Sequence, residues 1–239
     1  QLEELGTRYG KIDCLWLDGG WVNKDNLDQD IRLGEIVEKL RKGPQPHLIV
    51  CDRTVGGIYE NIVTPEKQVP EEPLFIPWET CTTVGEKFSF HYTDTFKSGR
   101  ELVHLLLDVV SKGGNLALNL APQPDGELPG RAVASLRDMG RWLRMHGEGI
   151  YETVIAEPFF ERNIKYTKKG KTIYAFYLYE DYASLPLRVH LTVPDKISRV
   201  RLMRTGQDIP FEQIENKIIL DTETAVRNTA FYADCFILE

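Results

Sequence analysis

The sequence contains no apolar run approaching the roughly 20 residues that cross a bilayer, and no signal-like segment opens it, so no membrane partner is expected. It also lacks a basic cluster. The net charge is −7 and the pI near 5.4, and the strongest basic run, Lys168-Lys169-Gly170-Lys171, has the composition of a solvated hairpin turn. With no Lys/Arg series to answer phosphates, the chain argues against a nucleic-acid partner. The four cysteines (Cys14, Cys51, Cys81, Cys235) are far apart and make no CxxC or Cys/His ligand spacing. Buried free thiols are therefore expected rather than a metal centre or a disulfide framework. Repeats and low-complexity segments are absent. So is an initiating Met: the chain starts at Gln1 within an amphipathic helix pattern (Leu2, Leu5, Tyr9) ended by Gly10, which leaves an upstream part open.

What is present has two textures that meet near residue 155. The first part alternates helix and strand signals: a helix over 1–9, a strand over 12–17, a helix over 30–42 stopping at Gly43-Pro44, and a strand over 47–51. A Pro-rich passage from Gly56 to Pro77 and a further strand follow, and passages of that length are usually functional or mobile. Then come a helix over 101–112, a strand over 115–120, a loop over 121–129, and a helix over 131–146 with Val133, Leu136, Gly140 and Leu143 on one stripe. This order resembles part of a parallel α/β barrel. A closed barrel needs eight strands in about 250 residues, and four strands in about 150 residues leave half a barrel missing or the sheet open. From Glu157 the spacing changes to hairpin-like strands at 163–166, 172–179, 187–193, 197–203, 217–220 and 231–238. The expected fold class is α/β plus all-β: a partial (β/α)8-like barrel over residues 1–154 followed by an antiparallel β-sandwich over 155–239.

The densest candidate for chemistry is Ile12-Asp13-Cys14-Leu15-Trp16-Leu17-Asp18-Gly19-Gly20-Trp21. A short apolar strand, expected to be buried, delivers Asp18 onto two glycines that remove bulk beside it, and Trp21 supplies a flat wall. Functional groups of parallel sheets gather at the C-terminal ends of strands, where Asp18 falls. The same acid also fits an N-cap or turn position. Glycoside hydrolysis needs two carboxyl groups across the scissile bond, about 5–5.5 Å apart for retention and further for inversion. Asp18 supplies one, and Glu60, Glu66, Glu71, Glu72 and Glu79 are candidates for the other, among which spacing does not choose. Aromatic rings cover the C–H face of a sugar, and Trp16, Trp21, Trp78, Phe88, Phe90 and Tyr92 crowd the first ninety-two residues. Arg53 stands just after the strand Leu48–Asp52, placed either for substrate hydroxyls or for an ion pair with Asp52.

Five segments in this order carry a resemblance: Leu15–Trp21, Val50-Cys51-Asp52-Arg53, Thr64-Pro65-Glu66, Pro77–Cys81 and Ser111–Pro122. Together they resemble the α-L-fucosidases of glycoside hydrolase family 29 through essentially the whole chain, without the N-terminal half of that family's barrel. The resemblance implies that Asp18 is the nucleophile and Glu66 the acid/base, with Glu79 in reserve. It further implies that Trp21, Arg53 and Phe88 contact substrate, a fucosylated oligosaccharide or glycoconjugate. No cofactor and no metal are implied. The family's fucose-holding histidines belong to the missing half, and His47, His91, His104, His146 and His190 do not match them; His104 is expected to be a satisfied core or interface residue. By the same resemblance the compartment is periplasmic, secreted or lysosomal, while linkage preference and oligomeric state stay open. The competing expectations are a non-catalytic carbohydrate-binding or structural fragment, and a glycosidase of other specificity on this scaffold.

Overall fold

The computed structural model describes residues 1–19, 22, 25–51, 59–180, 183–225 and 232–239. It divides into two compact units, Gln1–Glu66 with Leu74–Glu79, and Lys67–Pro73 with Thr80–Glu239. Among the described residues no helix is long and apolar enough to cross a membrane.

The first unit is a βαβ crossover with one helix in front of it. Helix α1 (Leu2–Arg8) precedes strand β1 (Cys14–Trp16), helix α2 (Leu33–Lys42) and strand β2 (Ile49–Cys51). β1 and β2 pair in parallel, with Cys14 opposite Ile49, Leu15 opposite Val50 and Trp16 opposite Cys51. Antiparallel neighbours can be joined by a tight turn, but a parallel pair needs a long connection, which α2 supplies. Leu33, Val37 and Leu40 recur at helical spacing, are buried, and pack on Leu48 and Val50. α1 meets α2 at Gly6, where a Cβ would run into the Leu40 methyls. The apolar stripe expected on α1 is corrected accordingly: Leu2 packs on this core, whereas Leu5 and Tyr9 are exposed, because close approach at Gly6 sets which face turns inward. The buried Gln45 amide ties the unit's start together. It donates to Gly6 O (2.8 Å) and Gly10 O (2.7 Å) and accepts from Ile12 N (2.9 Å), and so satisfies backbone groups where α1 gives way to β1.

In the second unit, the part of β3 (Trp78–Thr83) from Thr80 on leads to helix α3 (Gly99–Ser111), strand β4 (Gly114–Asn119) and helix α4 (Gly130–His146), and β3 and β4 share a two-stranded sheet. α3 opens with a capping box in which Ser98 Oγ accepts from Glu101 N and the Glu101 carboxylate accepts from Ser98 N. The remaining strands are β5 (Val154–Glu161), β6 (Ile164–Lys169), β7 (Thr172–Leu178), β8 (Arg188–Thr192), β9 (Val200–Leu202), β10 (Gln207–Asp208), β11 (Phe211–Ile214), β12 (Lys217–Asp221) and β13 (Ala233–Leu238). They form a six-stranded sheet, β10-β9-β13-β7-β6-β5, and a three-stranded sheet, β11-β12-β8, with antiparallel pairing in both.

The six-stranded sheet is covered on both faces, which explains why β13 is buried at every residue. Ile173 and Ala175 of β7 with Phe236 and Leu238 of β13 face a core shared with Val189, Leu191, Ile218 and Leu220 of the three-stranded sheet. Their neighbours Tyr174, Phe176, Cys235 and Ile237 face Leu102, Leu106, Met139 and Trp142 of α3 and α4. A strand covered on both sides reads as continuous apolar sequence, not as an alternation. The inward stripe of α4 centres on Ala132, Met139, Trp142 and His146, with Leu136 and Leu143 flanking it, so it is rotated from the expected one. β5 has no counterpart in the sequence-based expectation because Pro158 interrupts it. At the sheet edge, with a register shift between Ile155 and Phe160, proline costs no ladder bond that a central strand would need. Within β13 lies Asp234, the one buried aspartate among the described residues. It receives Arg204 Nε (2.6 Å), Arg204 Nη2 (3.2 Å) and the Tyr179 hydroxyl (2.7 Å).

Candidate active site

β1 ends at Trp16, and the ladder continues for one more bond, Leu17 N–H to Cys51 O (3.1 Å). Asp18 is the next residue, exposed at the C-terminal end of a parallel strand, the position where such sheets collect functional groups. Its Oδ1 accepts the Gly19 N–H (2.9 Å). Gly19 has φ +113°, a conformation that glycine adopts without steric cost, and Val22 N–H closes the turn onto Gly19 O (3.3 Å). The sequence thus delivers the carboxylate on a fixed turn.

Side chains two apart on a strand share a face, so Cys14, Trp16 and Asp18 lie on one side and Leu15 and Leu17 on the other. Leu15 and Leu17 pack on the helical core. The opposite side is open: Cys14 is exposed and Trp16 is 39 % exposed. The expected burial of this strand, and of Cys14 as a thiol, is therefore corrected. Among the described residues, helices pack on only one face of β1. Of the other cysteines, Cys51 and Cys235 are buried and Cys81 is half-buried, and all four are free thiols. Trp16 was only one of six aromatics in the sequence-based set; period-2 counting back from Asp18 singles it out.

Glu66 also follows a parallel pairing. Asn61 serves as a strand neighbour of Val50, with Asn61 N–H to Val50 O at 2.8 Å and Val50 N–H to Asn61 Oδ1 at 3.0 Å, and Arg41 Nη2 donates to the same Oδ1 (2.6 Å). Val63 then bridges Trp78 in parallel, through Val63 N–H to Pro77 O (3.0 Å) and Glu79 N–H to Val63 O (3.0 Å). Thr64 is buried, and Glu66 emerges exposed just beyond it. Glu79 is half-buried on β3, on the face opposite the buried Trp78 and Thr80. Its carboxylate and that of Glu60 reach the Cys51 thiol electrostatically. Burial first, then the Cys14 thiol at 3.6 Å, then these two acids push Cys51 up to about 12. Asp18, Glu60, Glu66 and Glu79 all belong to the first unit. Glu71 and Glu72 are exposed in the second, facing water as a like-charge pair should. Trp21 and Arg53 lie outside the described residues.

Phe88 belongs to the second unit and is 38 % exposed, and the Lys67 ammonium stands 4.6 Å from its ring centre. Lys67, the residue after Glu66, is held by its N–H on Cys81 O (2.8 Å) and by its ammonium on Glu86 O (2.7 Å). His104 donates from Nε2 to Tyr232 O (2.8 Å) and burial lowers its pKa, so it is a satisfied residue as expected, half-buried rather than in the core. Among the described residues no group of three or more His, Cys, Asp or Glu side chains is arranged to hold a metal ion.

The described residues thus comprise an α/β unit that presents carboxylates where parallel-paired segments end, with antiparallel sheets later in the chain. The chain belongs to the α-L-fucosidase family, whose model, described as alpha-L-fucosidase, matches residues 1–148. It is similar to the tissue α-L-fucosidase of Macaca fascicularis, with 27 % identity over 92 % of this chain and 49 % of that protein. It is also similar to the plasma α-L-fucosidase of Homo sapiens, with 30 % identity over 92 % of this chain and 50 % of that protein. The chain therefore spans about half the length of these relatives. Among solved structures, it shares its fold with α-L-fucosidase isoenzyme 1 from Paenibacillus thiaminolyticus, with a TM-score of 0.81, 24 % identity, and 99 % of this chain and 60 % of that one covered. It shares it likewise with the Thermotoga maritima α-fucosidase determined in complex with fucose, with a TM-score of 0.71, 24 % identity, and 95 % and 52 % covered.

Proposed function

We propose that this chain is the C-terminal part of a retaining α-L-fucosidase, which removes terminal α-L-fucosyl residues from oligosaccharides or glycoconjugates by double displacement. In this account residues 1–154 form the C-terminal half of a (β/α) barrel and residues 155–239 a β-sandwich. Asp18 attacks the anomeric carbon while Glu66 protonates the departing glycosidic oxygen. Glu66, now a carboxylate, then takes a proton from water as that water displaces Asp18 from the sugar. Glu79 is the alternative acid/base. Trp21 and Phe88 cover the apolar face of the sugar, and Arg53 binds its hydroxyls.

The observation that carries this account is the exposed Asp18 carboxylate, fixed by the Gly19 N–H at the C-terminal end of β1. An acid serving only as a helix cap or in a surface turn has no need of an open strand face bearing Trp16 beside it. The test is Asp18→Gly in the intact protein, with turnover of an aryl α-L-fucoside as readout. Turnover should disappear, and azide should restore release of the aryl group as a fucosyl azide forms. Activity near wild type would end the assignment, and fucose binding without turnover in the unaltered protein would favour a non-catalytic sugar-binding role.

A further inference from the structure

The segment Gly85-Glu86-Lys87-Phe88-Ser89-Phe90-His91-Tyr92-Thr93-Asp94-Thr95-Phe96 alternates rings with polar residues, and only Phe88 enters the account above. Its stem is pinned. Gly85 and Phe96 form an antiparallel bridge, and Lys97 N–H bonds Val84 O (2.9 Å). The Asp94 carboxylate accepts from Glu86 N and Thr95 N (2.9 Å each), and Thr95 Oγ1 donates to Glu86 Oε1 (2.8 Å). Gly85 admits this closure, since a Cβ there would run into the Asp94 carboxylate. On that stem Tyr92 stands 87 % exposed, braced edge-on by Phe90 with ring centres 4.9 Å apart.

A fixed loop that holds a phenol ring in water keeps an exposed apolar face ready at a cost, so what covers it is decided by size and chemistry. A docking protein partner buries about 800 Å² on each side, whereas the exposed rings of this loop are two, Phe88 and Tyr92. The charges around the rings are balanced, Lys67 and Lys87 against Glu86 and Asp94, which fits neither an anionic membrane surface nor a polyanion. A pyranose matches both features. One face of C–H bonds can lie on the ring, and the same segment carries Lys87, Ser89, His91 and Thr93, side chains of the kind that bind hydroxyls.

We infer that the loop Gly85–Phe96 is a glycan-contact platform on which a hexopyranose of the glycan chain, other than the terminal fucose, stacks against Tyr92. The identity of the ligand as a glycan rests on the fucosidase account, whereas the stacking itself is read without turnover. Saturation-transfer NMR with N-acetyllactosamine, which contains no fucose, tests it. The chain and its Tyr92→Phe and Tyr151→Ala variants should transfer saturation to the sugar C–H protons, Tyr151 being an exposed tyrosine elsewhere in the same unit. Tyr92→Ala should weaken binding about five-fold or more. Undiminished transfer in Tyr92→Ala, or none in the unaltered chain, overturns the inference. If Tyr92-dependent binding is found while Asp18→Gly keeps full turnover, the platform stands and the catalytic account falls.

Discussion

Replacing Arg204 with methionine tests how the six-stranded sheet is held at its centre. Asp234 is fully buried in β13 between β7 and β9, and the Arg204 side chain is only 5 % exposed. Two guanidinium bonds and the Tyr179 hydroxyl answer the carboxylate, and burial and that carboxylate together push the Tyr179 hydroxyl pKa far up, so it remains a donor. Taking away the guanidinium leaves a buried charge with one neutral donor, a change that typically destabilises by about 3–5 kcal/mol. Against a usual domain stability of about 5–15 kcal/mol, that is a large fraction. Urea unfolding of Arg204→Met followed by near-UV circular dichroism reads the loss. Removing all three polar groups, as Arg204→Met, Asp234→Leu and Tyr179→Phe together, should recover most of the loss, since no stranded group remains. A single variant within about 1 kcal/mol of the unaltered chain, or a triple variant as unstable as the single, would refute the reasoning.

Gln45→Ala strands Gly6 O, Gly10 O and Ile12 N and should cost about 2–3 kcal/mol, with hydrogen exchange faster over residues 1–17 than over the second unit. Ser98→Ala removes the capping box of α3 and should cost about 1 kcal/mol in the same unfolding assay. His146 is buried against Trp142, and desolvation chiefly lowers its pKa, so the unfolded chain binds its proton more readily. Its contribution is therefore complete above the unfolded value of about 6.5 and is lost as pH falls below it, and His146→Gln should flatten that part of the stability profile.

Most element types were legible because their signals are local. The α2 stripe Leu33, Val37, Leu40 and the hairpin at Lys169-Gly170 need no knowledge of what they pack against. What escaped depends on neighbours remote in sequence. β5 is a strand despite Pro158 because it is an edge, α1 turns Gly6 inward because Leu40 lies there, and Cys14 is exposed because the described helices of the unit pack on the other side of β1. At the candidate site, the position of Asp18 at a strand end was readable from apolar residues running onto glycines. The parallel bridge that precedes Glu66 joins Val63 to Trp78, and nothing local announces it. The electrostatic reach of Glu60 and Glu79 to Cys51 is likewise a property of the folded sheet.

The most direct test of the central claim is to trap the covalent intermediate. Incubating the intact protein with a 2-fluorinated fucosyl fluoride, which forms the glycosyl-enzyme readily and hydrolyses slowly, should add one fluorofucosyl group. Peptide mapping should place that group as an ester on Asp18. Turnover of fucosides with the label on another carboxylate, or with no label at all, would contradict the account.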